Sequence, residues 1–181
     1  PSTEARTGTE EDLPGAFVAA AASLRPDAIE SVLDDMWARG SFEQVATRYL
    51  MPALRALGRA WAEDAIDVAT EHMASAAVLR RLSMAYQAAA HGDNAGPVVL
   101  IGLPPGARHE LGALAFAVMA RRAGLHVVYL GPDLPVADWL RAVDRSDAAV
   151  AVIAVVSGRD LEAATEVATT LQQTFPDLVV V

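Results

Sequence analysis

The sequence contains no cysteine and no lysine. Without cysteine there is no disulfide framework, no thiolate nucleophile and no cysteine-based zinc site, and thiols say nothing of the redox compartment. Without lysine, all fourteen basic residues are arginine, which excludes Schiff-base chemistry on a lysine amine. Long apolar runs are also missing. The longest, Ala148 to Val156, is far too short to span a bilayer. The segment Pro1 to Asp12 is polar and acidic and holds no apolar core of a secretory signal. Positive charge is scarce, with 14 basic against 23 acidic residues and a net charge of −9. Such a chain is a poor ligand for nucleic acid or anionic membranes by itself. The expectation is a cytoplasmic protein that binds neither directly.

What is present is a chain of 181 residues that is 53% hydrophobic, enough to bury a core in one domain or two small ones. Residues 1–12 read as a disordered leader. Leu13 to Leu24 is alanine-rich and helical in character. Pro26 suits the first turn of a second helix, with Ile29, Val32, Leu33, Met36 and Trp37 on one face and Gly40 as a stop. Ser41 and Gln44 form a capping-box pair for a third helix. Its apolar stripe runs through Phe42, Val45, Tyr49, Leu50, Leu54, Leu57 and Trp61, and Pro52 should kink it or start it afresh. Asp67 is placed to cap a fourth helix through Val68, His72, Leu79, Leu82 and Tyr86. Four helices with short connections predict a bundle over residues 13–91.

Residues 92–97, Gly-Asp-Asn-Ala-Gly-Pro, read as a linker. Beyond it, runs rich in β-branched residues alternate with helical patterns: strands at 98–102, 126–131, 149–156 and 178–181, helices over 108–123, 135–145 and 159–174. That order predicts βαβ units and a parallel sheet over residues 98–181. Because the chain stops inside an apolar strand, it is expected to continue beyond Val181. His91 and His126 read as bland, and the Arg80-Arg81 and Arg121-Arg122 pairs as charges on helix surfaces.

Between the first of these strands and its helix lies Pro104-Pro105-Gly106-Ala107-Arg108-His109-Glu110-Leu111-Gly112. Ligands of open parallel sheets bind beyond the carboxyl ends of the strands, and His109 falls at that edge. One ring nitrogen could bind a metal while the other takes a supporting partner. In the helical part, Trp61 is followed after nine residues by Glu71-His72. The short turn over 63–66 is expected to bring an indole, a carboxylate and an imidazole to one end of the bundle.

With these two motifs in this order, residues 13–181 resemble the cobalamin-binding module of methionine synthase-like proteins. The chain looks most like the version in CarH-type light-sensing regulators of the MerR family. The resemblance implies an α/β fold with an all-α part: a helical bundle capping the upper face of the cofactor, then a Rossmann-like, flavodoxin-like domain. It makes His109 the lower cobalt ligand, replacing the cofactor's own base. Trp61 would pack where an upper adenosyl group sits, with Glu71 and His72 contacting that group and Leu57 and Val68 completing an apolar lid that excludes water. Gly106, Gly112, Ser157 and Gly158 would leave space for the cofactor's tail, with Arg108, Glu110, Gly131 and Asp133 also near it. The segment from Tyr129 to Asp133 matches the family's pattern.

The chain departs from that pattern at three places. Ala107 stands where the loop motif has a carboxylate, which leaves His109 to take water, a carbonyl or Glu110 as partner. Ala62 stands where a second histidine can follow the tryptophan. Ser157-Gly158-Arg159 keeps the serine of the family's Ser-x-Leu segment and lacks its leucine. The expected function is a photoreceptor module rather than an enzyme. It would bind adenosylcobalamin, with room for a noncovalent bilin, and act through self-association and through an output domain or partner outside this chain. The alternatives are an enzyme part, either a corrinoid methyl carrier serving a methyltransferase or the cobalamin subunit of a mutase, and a cofactor-free interaction protein on the same scaffold.

Overall fold

A computed structural model of the chain describes residues 12–89 and 96–181. All of the expected leader except Asp12, together with His91 and residues 92–95 of the expected linker, lies outside the described residues. Two compact units are distinguished, the first ending at Val78 and the second running from Leu79 to Val181.

The first unit is helical. It holds α1 (Leu13–Ala22), α2 (Pro26–Trp37), α3 (Phe42–Val45), α4 (Met51–Ala62) and the beginning of α5 (Val68–Ala88). Polar side chains start several of these helices. The Asp12 carboxylate accepts from the Gly15 amide at 2.9 Å. Ser41 and Gln44 form the expected reciprocal capping box. The Asp67 carboxylate accepts from the Thr70 amide at 2.8 Å, which satisfies a helix-end donor. Hydrogen bonds from Thr70 hold the Asp67 carboxyl below the usual aspartate range. Pro52 sits in the first turn of α4, which starts at Met51, as one of the two expected outcomes had it. A π-helical segment, Ala46–Leu50, precedes α4 and leads into it, and the Met51 amide reaches back five residues to the Ala46 carbonyl. The wider turn accommodates the proline ring, which would otherwise crowd the carbonyl four residues back. α1 packs against α2 and α4. Phe17, Ile29, Leu33, Met36, Leu50 and Leu57 are buried, following the three- and four-residue steps of the sequence.

The second unit holds β1 (Val98–Gly102), α6 (Leu111–Arg122), β2 (His126–Gly131), α7 (Val136–Ser146), β3 (Ala148–Ile153), α8 (Leu161–Thr174) and β4 (Val179–Val180). All strands are parallel, in the order β2-β1-β3-β4. From β1 the chain crosses to β2 on one side and returns to β3 on the other. The loop after β1 therefore opens at the point where the topology reverses, the usual ligand crevice of such sheets.

β3 is shorter than the apolar run that forms it. Its register with β1 ends at Gly102 opposite Ile153, and Val155 and Val156 are exposed beyond it. The core below the sheet centres on Trp139 of α7, which is fully buried with Leu100, Val143, Ala151 and Val167. Glycine fits at position 102 without displacing the Trp139 ring, which a Cβ there would press at 3.0 Å. Arg121 is not the surface charge that the sequence suggested. It is 5% exposed, with its guanidinium 4.1 Å from the centroid of the Tyr86 ring and donating to the Tyr86 carbonyl at 2.9 Å. No helix among the described residues is long and apolar enough to cross a membrane.

Candidate functional site

The expected site residues fall into two groups, one in each unit. In the second unit, the loop between β1 and α6 carries Gly106, Arg108, His109 and Glu110, and α6 starts at Leu111, so His109 stands in the loop rather than in the helix. The loop is fixed from the next loop along, which joins β2 to α7. The Gly106 amide donates to Asp133 Oδ1 at 2.7 Å. The Asp133 amide donates to the Ala107 carbonyl at 2.9 Å, and the Leu134 amide to the Leu103 carbonyl at 3.2 Å. Arg108 lies 3.6 Å from Asp133 Oδ2. Gly106 and Gly131 have φ of +81° and +84°, a region that suits glycine. Ala107 is buried against Leu103 and Ala113, while His109, two residues on, is exposed. Its ring has no hydrogen-bond partner among the described residues.

Glu110 does not support His109. Its carboxylate accepts from the Tyr129 hydroxyl at 2.9 Å. Burial pushes the Tyr129 phenol above the usual tyrosine range, and the neighbouring Glu110 charge raises it further. Behind Tyr129 stands Tyr86, near the end of α5. The Tyr86 hydroxyl donates to the Val127 carbonyl at 3.0 Å and accepts from the Tyr129 amide at 3.2 Å. Both groups belong to β2, which is an edge strand. The hydroxyl therefore fills the slot that a further strand would occupy. Sequence reasoning reads Tyr86 as one more apolar helix position and misses this role, since the partner residues lie more than forty positions away.

Ser157 and Gly158 follow β3 on the same edge of the sheet. Ser157 donates both its amide, at 2.9 Å, and its hydroxyl, at 3.1 Å, to Asp160. A Cβ added at Gly106, Gly112, Gly131 or Gly158 would meet nothing within 4 Å, so open space surrounds the loops on this edge.

In the first unit, Trp61 lies one residue before the end of α4, and Val68, Glu71 and His72 open α5. Trp61 is 49% exposed and Val68 53%, whereas Leu57 is 2% exposed and belongs to the core. The Ser75 hydroxyl donates to Glu71 Oε1 at 2.5 Å. His72 Nδ1 lies 2.9 Å from the Val68 carbonyl. A carbonyl only accepts, so this nitrogen donates, and Nε2 is left facing away from the bond. Among the described residues, no group of three or more His, Asp or Glu could hold a metal ion.

Residues 15–86 match a family model described as a B12 binding domain. The chain is 36% identical over 121 residues to the HTH-type transcriptional repressor CarA of Myxococcus xanthus, an alignment covering 67% of this chain and 40% of that protein. It is 30% identical over 150 residues to the HTH-type transcriptional repressor CarH of the same organism, covering 83% of this chain and 48% of that one. The chain thus spans less than half the length of either repressor. Among solved structures, the monomethylamine corrinoid protein of Methanosarcina barkeri shares the fold, with a TM-score of 0.71 at 13% identity over 93% of this chain and 80% of that one. The chain carries a B12 binding domain homologous to part of CarA and CarH. Its helices and four-stranded parallel sheet form a Rossmann-like corrinoid-protein fold.

Proposed function

We propose that this B12 binding domain is a cobalamin-dependent light sensor, with adenosylcobalamin held base-off and His109 as the lower cobalt ligand. The observation that carries the reading is His109 itself, an exposed imidazole on the switch-point loop that has no hydrogen-bond partner among the described residues. A single imidazole suits a metal whose remaining donors belong to a macrocycle, because no cluster of protein ligands among the described residues stands ready for a free ion. The open space at Gly106, Gly112 and Gly158 and the exposed Val155 and Val156 suit a large, mostly apolar ligand at that edge.

Bound adenosylcobalamin supplies a cobalt–carbon bond that green or blue light cleaves. The chain's part is to bind, shield and respond. His109 holds the lower face. Trp61 and Val68 offer apolar surface to the upper group, and Glu71 and His72 Nε2 offer hydrogen bonds to it. Leu57, four residues before Trp61 on α4, belongs to the core. Ser157 shapes the turn beside the cofactor's tail, and Arg108, Gly131 and Asp133 hold the adjoining loops. With the cofactor bound, contacts from Trp61, Val68, Glu71 and His72 would favour one state of the helices, and losing them would shift a two-state equilibrium. The readout is self-association or an output domain or partner, as expected of a cytoplasmic regulator rather than an enzyme. A bilin, if used, binds noncovalently, since there is no cysteine.

The test is the absorption spectrum of the protein loaded with adenosylcobalamin in the dark, before and after green light, with molecular size measured alongside. The expected result is a bound corrin, a light-driven spectral change with a change in size, and a different lower-ligand spectrum in His109→Ala. A corrin that photolyses as the free cofactor does, at unchanged size, would favour the methyl carrier. No bound corrin would favour the interaction protein.

A further inference from the structure

Resting on the reading of His109 as a cobalt ligand, we propose that Asp133 is the positioning residue of that ligand. It clamps the three residues before His109 and so sets where the imidazole stands. Asp133 engages the loop from three atoms. Its Oδ1 accepts from the Gly106 amide at 2.7 Å, its own amide donates to the Ala107 carbonyl at 2.9 Å, and its Oδ2 faces Arg108 at 3.6 Å. These contacts bridge stretches far apart in sequence and tie the loop to a neighbouring strand end. The residue is committed to the task by its backbone, since Asp133 has a φ of +55°. That left-handed conformation is uncommon outside glycine and is tolerated best by Asp and Asn.

The clamp matters because the other bonds around His109 on the loop backbone are internal to the loop. The Ala107 amide donates to the Pro104 carbonyl at 3.1 Å and, across His109, the Glu110 amide donates to the Arg108 carbonyl at 3.0 Å, while the Ala107 side chain is buried; these shape the loop but do not tie it to a neighbouring strand end. After it, Glu110 is held by Tyr129. A donor atom must be kept within about 0.5 Å of its productive place, and position 107 has no side chain with which to fix the ring. The Asp133 carboxylate is therefore spent on the loop backbone rather than offered to the cofactor.

Two corrinoid probes separate positioning from general structure. Aquocobalamin can exchange an axial ligand for His109. Dicyanocobalamin, in excess cyanide, has both axial positions taken and reports only the fit of the corrin. Asp133→Ala is expected to weaken aquocobalamin binding about 10- to 100-fold and dicyanocobalamin binding far less. Asp133→Asn keeps an acceptor for Gly106 and tolerates the backbone, and should recover most of the loss. Without any corrinoid, amide exchange at Gly106 should be slow in wild type and Asp133→Asn and fast in Asp133→Ala. Should Asp133→Ala not fold, Asp133→Gly replaces it. Equal losses for both probes, or no loss for either, would overturn the proposal, as would equally fast Gly106 exchange in wild type. The underlying reading fails separately: His109→Ala would then bind aquocobalamin as wild type does, while Gly106 exchange still reports on the clamp.

Discussion

His72 and His109 are both candidate site histidines, and they are held in opposite ways. His72 is oriented by the Val68 carbonyl four residues earlier, and its neighbour Glu71 by Ser75 four residues later. These are bonds within one helix, available as soon as the helix forms. His109 makes no such bond. Its loop is placed by Asp133, 27 residues from Gly106, and by Tyr129, 19 residues from Glu110. The helical group is local and should survive changes elsewhere in the fold. The loop group exists only once β1 and β2 are paired, so it should respond to changes anywhere along that edge of the sheet.

Two tryptophans, one in each unit, break the comparison most strongly. Trp139→Ala empties the fully buried site over Gly102 and should cost about 3–5 kcal/mol, seen as a large drop in the urea midpoint. Trp61→Ala removes a half-exposed side chain and should change stability by no more than about 0.5 kcal/mol. A large loss at Trp61 would mean that it is structural rather than free for a ligand. Tyr86→Phe strips the hydroxyl from the β2 edge and leaves the Val127 carbonyl and Tyr129 amide unpaired. It should cost about 1–2 kcal/mol and speed amide exchange at Tyr129.

Two smaller effects sharpen the contrast through pH. The Asp67 carboxyl is held low in the folded state by its cap bonds to Thr70. Its contribution is present above the usual aspartate range and is lost as pH falls through the lowered value. Asp67→Ala should therefore be less stable than wild type at neutral pH and lose less on acidification, measured as urea midpoints across the acid range. Tyr129 is the reverse case, raised by burial and by Glu110. Its contribution is present below the usual tyrosine range and is lost only as pH rises through the raised value. Tyr129→Phe should leave the phenolate absorbance that develops through the usual tyrosine range as it is in wild type, because Tyr129 ionises above that range. A smaller absorbance in the variant would show that the phenol is free of Glu110.

Much of the helical part is legible in the sequence alone. The Ser41–Gln44 box, the Asp67 cap, Pro26 in a first turn and the buried stripe from Ile29 to Met36 all lie within a few residues of their partners. The alternation of strands and helices after residue 97 is legible for the same reason, as is the placing of His109 beyond β1. Arg121 shows where that legibility ends. A pair of arginines in a helix looks like surface charge, and only the arrival of Tyr86, 35 residues away, turns one of them into a buried partner.

What the chain determined by itself was therefore its local order: which stretches are helix or strand, where each begins, and which residue types could face a corrin. These follow from periodicity and capping, which act over one or two turns. Only the tertiary structure decided that β3 stops at Ile153, that Leu57 is core while Trp61 is half exposed, that Glu110 answers to Tyr129, and that Asp133 holds the loop of His109. Each of these depends on strands and helices meeting across the fold, where hydrogen-bond partners are selected by register and burial rather than by spacing along the chain.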